Sequence, residues 1–465
     1  MRTLPSPVRN DMVLRPASKK GKLSVRSNWQ YVLRKLREQL EQTQWHSANK
    51  ILAFQRHHLA LLVAHAYATV PWYREQWSAT GIDANRFDPS RDWHRLPILR
   101  RQDIQEAEQS LHSTALPSKH GATHQTGTGG STGQPVMVLS TDWTKLWFWA
   151  LTLRDHLWHN RDFSQTLGAI RYSTDPSWAP PYGRTASNWG PATTIVGSTG
   201  PVVVLSVFAD TEAQERWLRH HKPGYLLTYP SALYALAKRT IDCDLRNPGL
   251  LQVRTFGELL EPYVRKACRR AWNINVVDLY SSEEVGSIAL QCPTGEHYHV
   301  QAESLYVEVL DDDGQPCAPG QVGRVVVTAL HNYAMPLIRY DLGDFAEVGK
   351  TCTCGRGLPV LDRIIGRQRN MFILPSGRKL WPSFVVAKDE DPLPPHQFQV
   401  VQQAIDQVEI RMVVNAPFTK AQEEQVLQRL RRGMGGEFEY TLAYVDNIPR
   451  SPRGKYEDFL CDIKG

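Results

Sequence analysis

Four glycines, three threonines and one serine fall within ten residues, Thr126 to Pro135, in the run TGTGGSTGQP. Glycine permits positive φ and a close approach of the backbone to a ligand. Successive backbone N–H groups in such a turn form a concave anion nest, and the hydroxyls of Thr128, Ser131 and Thr132 add donors suited to phosphate oxygens. The chemistry this stretch could do is to cradle a polyphosphate. It is not the lysine-bearing phosphate loop, because no Lys-Ser/Thr follows a glycine at the required spacing. A flexible surface loop is the other reading of a Gly/Ser/Thr run. Against it stand the shortness of the run and the PVMVL that follows from Pro135, which reads as a buried strand.

Further polar motifs each follow a predicted strand. VVDLY, residues 276–280, runs into SSEEVG; LIRYDLGD ends in Asp344; DRIIGR ends in Arg367; and IPRSPRGK places Lys455 on a glycine turn near the C-terminus. Ligands of open α/β sheets bind at the carboxyl ends of strands. Taken singly, each motif is equally well a solvated, ion-paired surface. Cys292 and the pair Cys352 and Cys354 flank His297 and His299. Thiolates and imidazoles at such spacings suit tetrahedral zinc; buried thiols beside surface histidines are the alternative. Trp143, Trp147, Trp178, Trp189 and Tyr280 suggest an aromatic-lined pocket, against an ordinary core role.

The elements that must position these residues are α/β. From Ile195 to Gln301 strands and helices alternate: strands at 202–207, 225–228, 253–256 and 276–279, and helices at 211–220, 231–240 and 261–272, which predicts a parallel sheet. Upstream, Leu33, Leu36 and Leu40, and then Leu52, Leu59, Val63 and Ala66, keep helical spacing, and Pro71 is expected to stop the second helix. The stretches 69–74 and 96–103 read as ordered turns, 143–158 as an aromatic helix, and 171–200 as irregular. Residues 305–310 and 323–330 read as strands. A smaller α/β unit follows, with strands at 408–414 and 438–445 and a helix capped by Thr419 and Gln422. The 465 residues predict two or three domains, and 42% hydrophobic content supplies a large core. The net charge of +7 fits polyanionic ligands. No Lys/Arg block of the nucleic-acid type occurs, and the most apolar stretch, 59–68, is shorter than the ~18 residues needed to span a membrane. An odd count of seven cysteines does not suggest a disulfide framework. No signal-peptide core follows the basic N-terminus, and a cytoplasmic protein is expected.

In this order the motifs resemble the adenylate-forming superfamily, most of all its branch containing phenylacetate–coenzyme A ligase, the capsule-biosynthesis CapK-like proteins and the coenzyme F390 synthetases. VPWYR at 70–74, Leu96-Pro97, Lys222-Pro223 with Tyr229-Pro230-Ser231, and GELL at 257–260 carry the likeness too. The resemblance implies that Thr128, Gly129, Gly130, Ser131, Thr132 and Gly133 hold the β- and γ-phosphates of ATP. It implies that Glu284 binds Mg²⁺, that Gly257, Glu258, Asp278, Tyr280, Ser281 and Ser282 flank the adenine, and that Asp344 holds the ribose with Arg367 beside it. Lys455 matches the catalytic lysine, so Lys455, Glu284 and Thr128 are the expected catalytic residues. Members of the branch can carry a structural zinc in the two Cys/His segments; Cys292, His299, Cys352 and Cys354 are the set chosen here, with His297 the alternative for the histidine. Two departures stand out: Gly129 and Gly130 replace the usual Ser/Thr-Gly, and Arg369 replaces the usual hinge aspartate.

The expected organisation is a basic arm at 1–26, a large ATP- and acid-binding domain at 27–366 and a small mobile domain at 367–465 carrying Lys455. The implied activity is ATP- and Mg²⁺-dependent conversion of a carboxylic acid to an acyl-adenylate, with coenzyme A as the expected acceptor. Transfer to an amine or a carrier protein, or adenylyl transfer as in F390 synthesis, is the alternative. A zinc-bearing, nucleic-acid-binding protein is the reading from another class, and the ordered motif set disfavours it. A homodimer is open to such a chain. The acid itself, aromatic or not, is not named by the sequence.

Overall fold

The computed structural model describes residues 28–79, 81–84, 86–127, 136–367, 370–382, 397–414, 416–434 and 437–463. The expected arm at 1–26 lies outside them, as do Thr128 to Gly133 and Arg369.

Helices α1 (Trp29–Thr43) and α2 (Ala48–Thr69) follow the apolar spacing. Leu33, Leu36, Leu40, Leu59, Val63 and Ala66 are buried, whereas Leu52 is only half-buried. Pro71 does not end the helical region. It opens α3 (Pro71–Ala79) as the first residue, where a missing N–H costs no intrahelical bond. The stretch 69–74, expected as a turn, is therefore mostly helix. Two short helices, α4 (Pro89–Asp92) and α5 (Arg101–Ala107), follow.

Strands β1 (Thr123–Gly127) and β2 (Met137–Thr141) pair antiparallel, Gly127 opposite Met137. They frame the glycine-rich run at its two ends. The continuous buried strand expected after Pro135 is instead alternating: Val138 is buried and Met137 is 44% exposed, the pattern of a sheet with one covered face. Helix α6 (Asp142–Trp158) starts at a reciprocal cap between Thr141 and Thr144.

The alternating region forms β3 (Leu167–Arg171), β4 (Arg184–Ala186), β5 (Val202–Ser206), α7 (Thr211–His221), β6 (Tyr225–Thr228), α8 (Pro230–Asp242), β7 (Gln252–Phe256), α9 (Pro262–Trp272) and β8 (Asn275–Ser282). β5, β3, β6, β7 and β8 lie side by side and parallel. Beyond β8 the same sheet continues antiparallel through β9 (Gly286–Gln291), β10 (Tyr298–Val300), β11 (Leu305–Leu310), β12 (Val322–Ala329), β13 (Tyr340–Val348) and β14 (Val360–Arg367). The order is β11-β12-β13-β14-β10-β9-β8-β7-β6-β3-β5-β4. A short hairpin, β15 (Phe372–Ile373) with β16 (Lys379–Leu380), leads to the small unit of β17 (Gln397–Ala404), β18 (Gln407–Val413), α10 (Lys420–Met434), β19 (Glu439–Tyr444) and β20 (Phe459–Cys461). Its sheet order is β19-β18-β17-β20. The Thr419 and Gln422 cap is formed, with the Thr419 N–H donating to Gln422 Oε1 at 2.8 Å and the Gln422 N–H to Thr419 Oγ1 at 3.4 Å.

One apolar core packs α2 and α3 against the antiparallel half of the large sheet. A second runs from β5–β8 and α7–α9 into the small unit without a break; the rings of Tyr263 and Phe398 meet across it at 5.9 Å. The third packs α1 on α6. Among the described residues no helix is long and apolar enough to cross a membrane.

Candidate active site

A cavity of about 1530 Å³ opens at the carboxyl ends of the parallel strands and runs beneath α6, where an open α/β sheet binds ligands. Thr126, Gly257, Ser281, Ser282, Glu284, Asp344, Arg367 and Lys455 all line it, from separate stretches of chain.

Asp344 and Arg367 face each other across β13 and β14. Arg367 Nε lies 3.4 Å from Asp344 Oδ1, and the Tyr280 hydroxyl donates to Asp344 Oδ2 at 2.9 Å. Asp344 is thus held by Arg367 and Tyr280 while still lining the cavity. Glu284 sits where β8 turns into β9, its side chain 12% exposed, with Arg101 Nη1 3.6 Å from Oε1. Gly257 follows β7 with φ +76°. A Cβ there would lie 3.3 Å from the Tyr229 ring and 3.6 Å from Lys455 Cε, so the bare backbone leaves room for a flat group.

Lys455 reaches this site from the small unit. Gly454 has φ +76°, and a Cβ on it would press to 2.5 Å from Val207 Cγ1, so only glycine lets the turn seat the lysine here. Burial, and after it the Arg367 guanidinium, pushes the Lys455 ammonium below the usual lysine range; the carboxylates of Glu283, Glu258 and Asp344 pull the other way. Neighbouring residues latch the turn. The Tyr456 N–H donates to Glu258 Oε1 at 2.6 Å, Arg450 Nη1 to Ser231 Oγ at 2.7 Å and Arg453 Nη1 to Glu283 Oε2 at 2.7 Å.

Other expected residues are placed differently. The Glu258 carboxylate is occupied by the Ser231 and Tyr456 amides, which makes it a docking group between the two units. Asp278 is buried away from the cavity, accepting from Thr255 Oγ1 at 2.6 Å and the Tyr298 hydroxyl at 2.8 Å; burial raises its carboxyl. Of the five aromatics singled out, Trp147 and Trp189 line the cavity. Thr128, Gly129, Gly130, Ser131, Thr132 and Gly133 lie outside the described residues.

Asp458, which the sequence reading passed over, is a buried acid between the units. Tyr263 of α9 donates its hydroxyl to Asp458 Oδ2 at 2.9 Å. Burial lifts the Asp458 carboxyl to about 7, with Glu258 pushing the same way and Tyr263 and Arg450 opposing. A raised carboxyl favours the folded form while protonated, so its contribution is full below the unfolded value of ~3.9 and is lost as pH rises toward 7. Between pH 5.5 and 7 the loss is about 2 kcal/mol. Asp458→Asn should therefore gain thermal stability over the wild type as pH rises from 5.5 to 8. Melting curves at the two pH values check this; parallel shifts in both proteins would contradict it.

The Cys/His cluster is separate from the cavity. One ligand atom each from Cys292, His297, His299 and Cys352 fall within 4.8 Å of one another. Cys292 Sγ lies 3.8 Å from Cys352 Sγ, and His297 Nε2 3.0 Å from Cys352 Sγ. Cys354 Sγ is 3.3 Å from His299 Nε2. Tetrahedral zinc with bonds of ~2.0–2.3 Å needs ligand atoms roughly 3.3–3.8 Å apart; the Cys292–Cys352 separation of 3.8 Å meets this, His297–Cys352 is closer at 3.0 Å, and Cys354, expected as a ligand, is outside the group of four, which holds His297 in its place. The geometry brings both histidines to the cluster rather than one. The β9–β10 hairpin and the loop between β13 and β14 supply the side chains. Arg356, from that loop, sits between Trp45 and Trp158, 4.8 Å and 4.4 Å from their rings, and donates to Gln44 Oε1 at 2.9 Å.

Comparison with known proteins agrees with this architecture. Residues 395–460 match the CapK C-terminal domain. A phenylacetate–coenzyme A ligase of Thermus thermophilus is 25% identical over 454 residues, covering 88% of this chain and 96% of that protein. Among solved structures, 2-hydroxyisobutyryl-CoA ligase in the postadenylation state, bound to R3-HIB-AMP, superposes with a TM-score of 0.72 at 20% identity, covering 90% of this chain and 91% of that one. The same ligase with 2-HIB-AMP and CoA in the thioesterification state gives 0.58 at 21% identity, with the same coverage of 90% and 91%.

Proposed function

From a chain that belongs to the adenylate-forming superfamily, on its phenylacetate–coenzyme A ligase and CapK-like branch, we infer an AMP-forming ligase that activates a carboxylic acid and passes the acyl group to coenzyme A. The observation that carries this reading is the convergence of Lys455, Asp344 with Arg367, and Glu284 on one cavity beside the ends of the glycine-rich run.

The chemistry asked of the site is attack by a carboxylate oxygen on the α-phosphorus of ATP, with the bond to pyrophosphate breaking. Two anions must approach, so positive charge and orientation are what the protein has to supply. The nucleophile is already ionised, and no general base is required. Lys455 places its ammonium where it can meet charge on both reactants. Asp344 accepts the ribose hydroxyls while Tyr280 and Arg367 hold it in place. Gly257 offers an open backbone edge to the adenine. Glu284 is the carboxylate that would hold a magnesium ion; a single carboxylate plus substrate phosphates is the usual arrangement for that cation, and the ion would neutralise phosphate charge. Arg101 shields Glu284 until then. In the second step the coenzyme A thiolate adds to the acyl carbon, and AMP leaves with its electron pair.

Support for coenzyme A as acceptor comes from the relatives' own activities, together with the +7 net charge. The higher likeness to a postadenylation form than to a thioesterification form fits a small unit docked with Lys455 in the cavity.

The test is acid-dependent exchange of pyrophosphate into ATP, followed by product identification. Glu284→Gln should lower exchange at least tenfold, or about 1.4 kcal/mol. Wild-type exchange in that variant would remove Glu284 from the metal site. Adenylate discharged only by amines, or AMP found on a hydroxyl group, would replace coenzyme A as the acceptor.

A further inference from the structure

The inner end of the same cavity carries charge that the adenylation chemistry does not use. On β7, alternate residues Gln252, Arg254 and Phe256 face the cavity, as a strand's two-residue repeat dictates. Arg254 lies three residues before Gly257, so its Cα is roughly 10 Å deeper than the point where Lys455 enters. Beside it is Arg161, from the turn that follows α6. Its Nε donates to Gln252 Oε1 at 2.8 Å and its Nη1 to Asp155 Oδ2 at 2.5 Å.

Asp155 is the carboxylate that both guanidinium groups share; Arg254 Nε stands 3.1 Å from the same Oδ2. His156 and His159, the other titratable groups here, are pushed well down by burial and stay neutral. Asp278, the next carboxyl near Arg254, is raised by burial and turned to Thr255 and Tyr298. The Arg161 and Arg254 guanidinium groups thus share the one carboxylate of Asp155 as their ion-pair partner. The Arg161 and Arg254 side chains are only 2% and 11% exposed. Arg161 Nη2 and Arg254 Nε are buried with no hydrogen-bond partner among the described residues. Buried donors of this kind are almost always satisfied in a working protein, and an uncompensated buried cation is costly. Between this point and Lys455 the cavity is lined by Phe256 and, paired with it on β8, Leu279, with the Arg171 guanidinium 5.9 Å from the Phe256 ring.

The geometry points to an acid substrate with a second carboxylate at its far end. The reacting carboxylate lies by Lys455, the middle of the acid passes Phe256 and Leu279, and the distal carboxylate supplies the charge that Arg254 and Arg161 lack. This rests on the ligase reading above and names the substrate class of that site. Arg254, whose side chain lines the cavity, is the specificity-determining residue, and Arg161 backs it.

The experiment compares skeleton-matched acids in pyrophosphate exchange: octanoate against octanedioate, and phenylacetate against 1,4-phenylenediacetate. The diacid of each pair should be favoured at least tenfold in kcat/KM. Arg254→Gln should cut that preference at least tenfold, and Arg254→Lys, which keeps the charge, should retain part of it. Preference for the monoacids in the wild type, or an unchanged ratio in Arg254→Gln, overturns the inference and leaves the ligase reading standing. Should no acid support exchange, the ligase reading falls. Calorimetric binding of the diacids to wild type and to Arg254→Gln then decides the inference alone: tighter binding of diacids that is lost in the variant upholds it, and equal binding or none overturns it.

Discussion

Lys455→Ala should reduce acid-dependent pyrophosphate exchange by about 10²–10³-fold, the usual cost of removing one preorganised charge from a transition state. The same variant should turn over a supplied acyl-adenylate with coenzyme A at close to the wild-type rate. The reason is the place of the lysine. It stands on a turn of the small unit, held down by the Tyr456–Glu258, Arg450–Ser231 and Arg453–Glu283 contacts, with its ammonium drawn into the cavity. Attack on the α-phosphorus brings two anions together and needs that charge. Thiolate attack on a finished adenylate has much less need of it. Rotation of the small unit would then exchange the lysine for the acceptor's path. Assay of the two half-reactions separately checks this. Equal losses in both would show a general structural role, and no loss in either would leave Lys455 a bystander.

Loss of the Cys/His cluster should have the next largest effect. Protein purified without a metal-affinity step is expected to hold about one zinc per chain, and Cys352→Ser to lose it. Structural zinc is worth up to ~10 kcal/mol or more where it organises a small fold. Here it would tie the β9–β10 hairpin to the loop between β13 and β14, on a sheet with a large core of its own. A loss of several kcal/mol is expected, seen as a fall in Tm on the order of 10 °C. Because the cluster lies at the opposite ends of β9 and β14 from Glu284 and Arg367, exchange activity below the lowered Tm should persist. Elemental analysis and melting curves test it. A metal-free wild type with the Tm of Cys352→Ser unchanged would contradict a zinc site.

What could be read in the sequence follows from what is local. Strands β5, β6, β7 and β8 of the parallel half were legible because amphipathic helices separate them, and the change from a period of two to one of 3.6 marks their boundaries; β3 (Leu167–Arg171), central in the same half, was not expected. Leu305–Leu310 was legible in the same way. The turn residues around Gly454 and Gly257 announced backbone that only glycine adopts. Other features depend on partners far along the chain. The antiparallel continuation from β9 to β14 joins strands that no local pattern connects. β1, THQTG, is polar along its length and gave no apolar alternation. Pro71 carries the same residue signal whether it stops one helix or starts the next. Glu258 reads as a site residue until Tyr456, 198 residues on, is seen to occupy it. Arg161 and Arg254 lie in stretches with no motif at all, and only the fold brings them to one carboxylate. His297 and His299 could not be chosen between by spacing, because β10 and the hairpin turn direct both to the cysteines.

The central claim is that a carboxylate oxygen of the substrate becomes bonded to the α-phosphorus of ATP. It is tested most directly by running the reaction to completion with a carboxylic acid labelled with ¹⁸O in both oxygens and weighing the AMP released. Breakdown of an acyl-adenylate by thiolate attack at carbon leaves one substrate oxygen on phosphorus, so the account predicts AMP carrying a single ¹⁸O. Unlabelled AMP, or label appearing in inorganic phosphate, would contradict it.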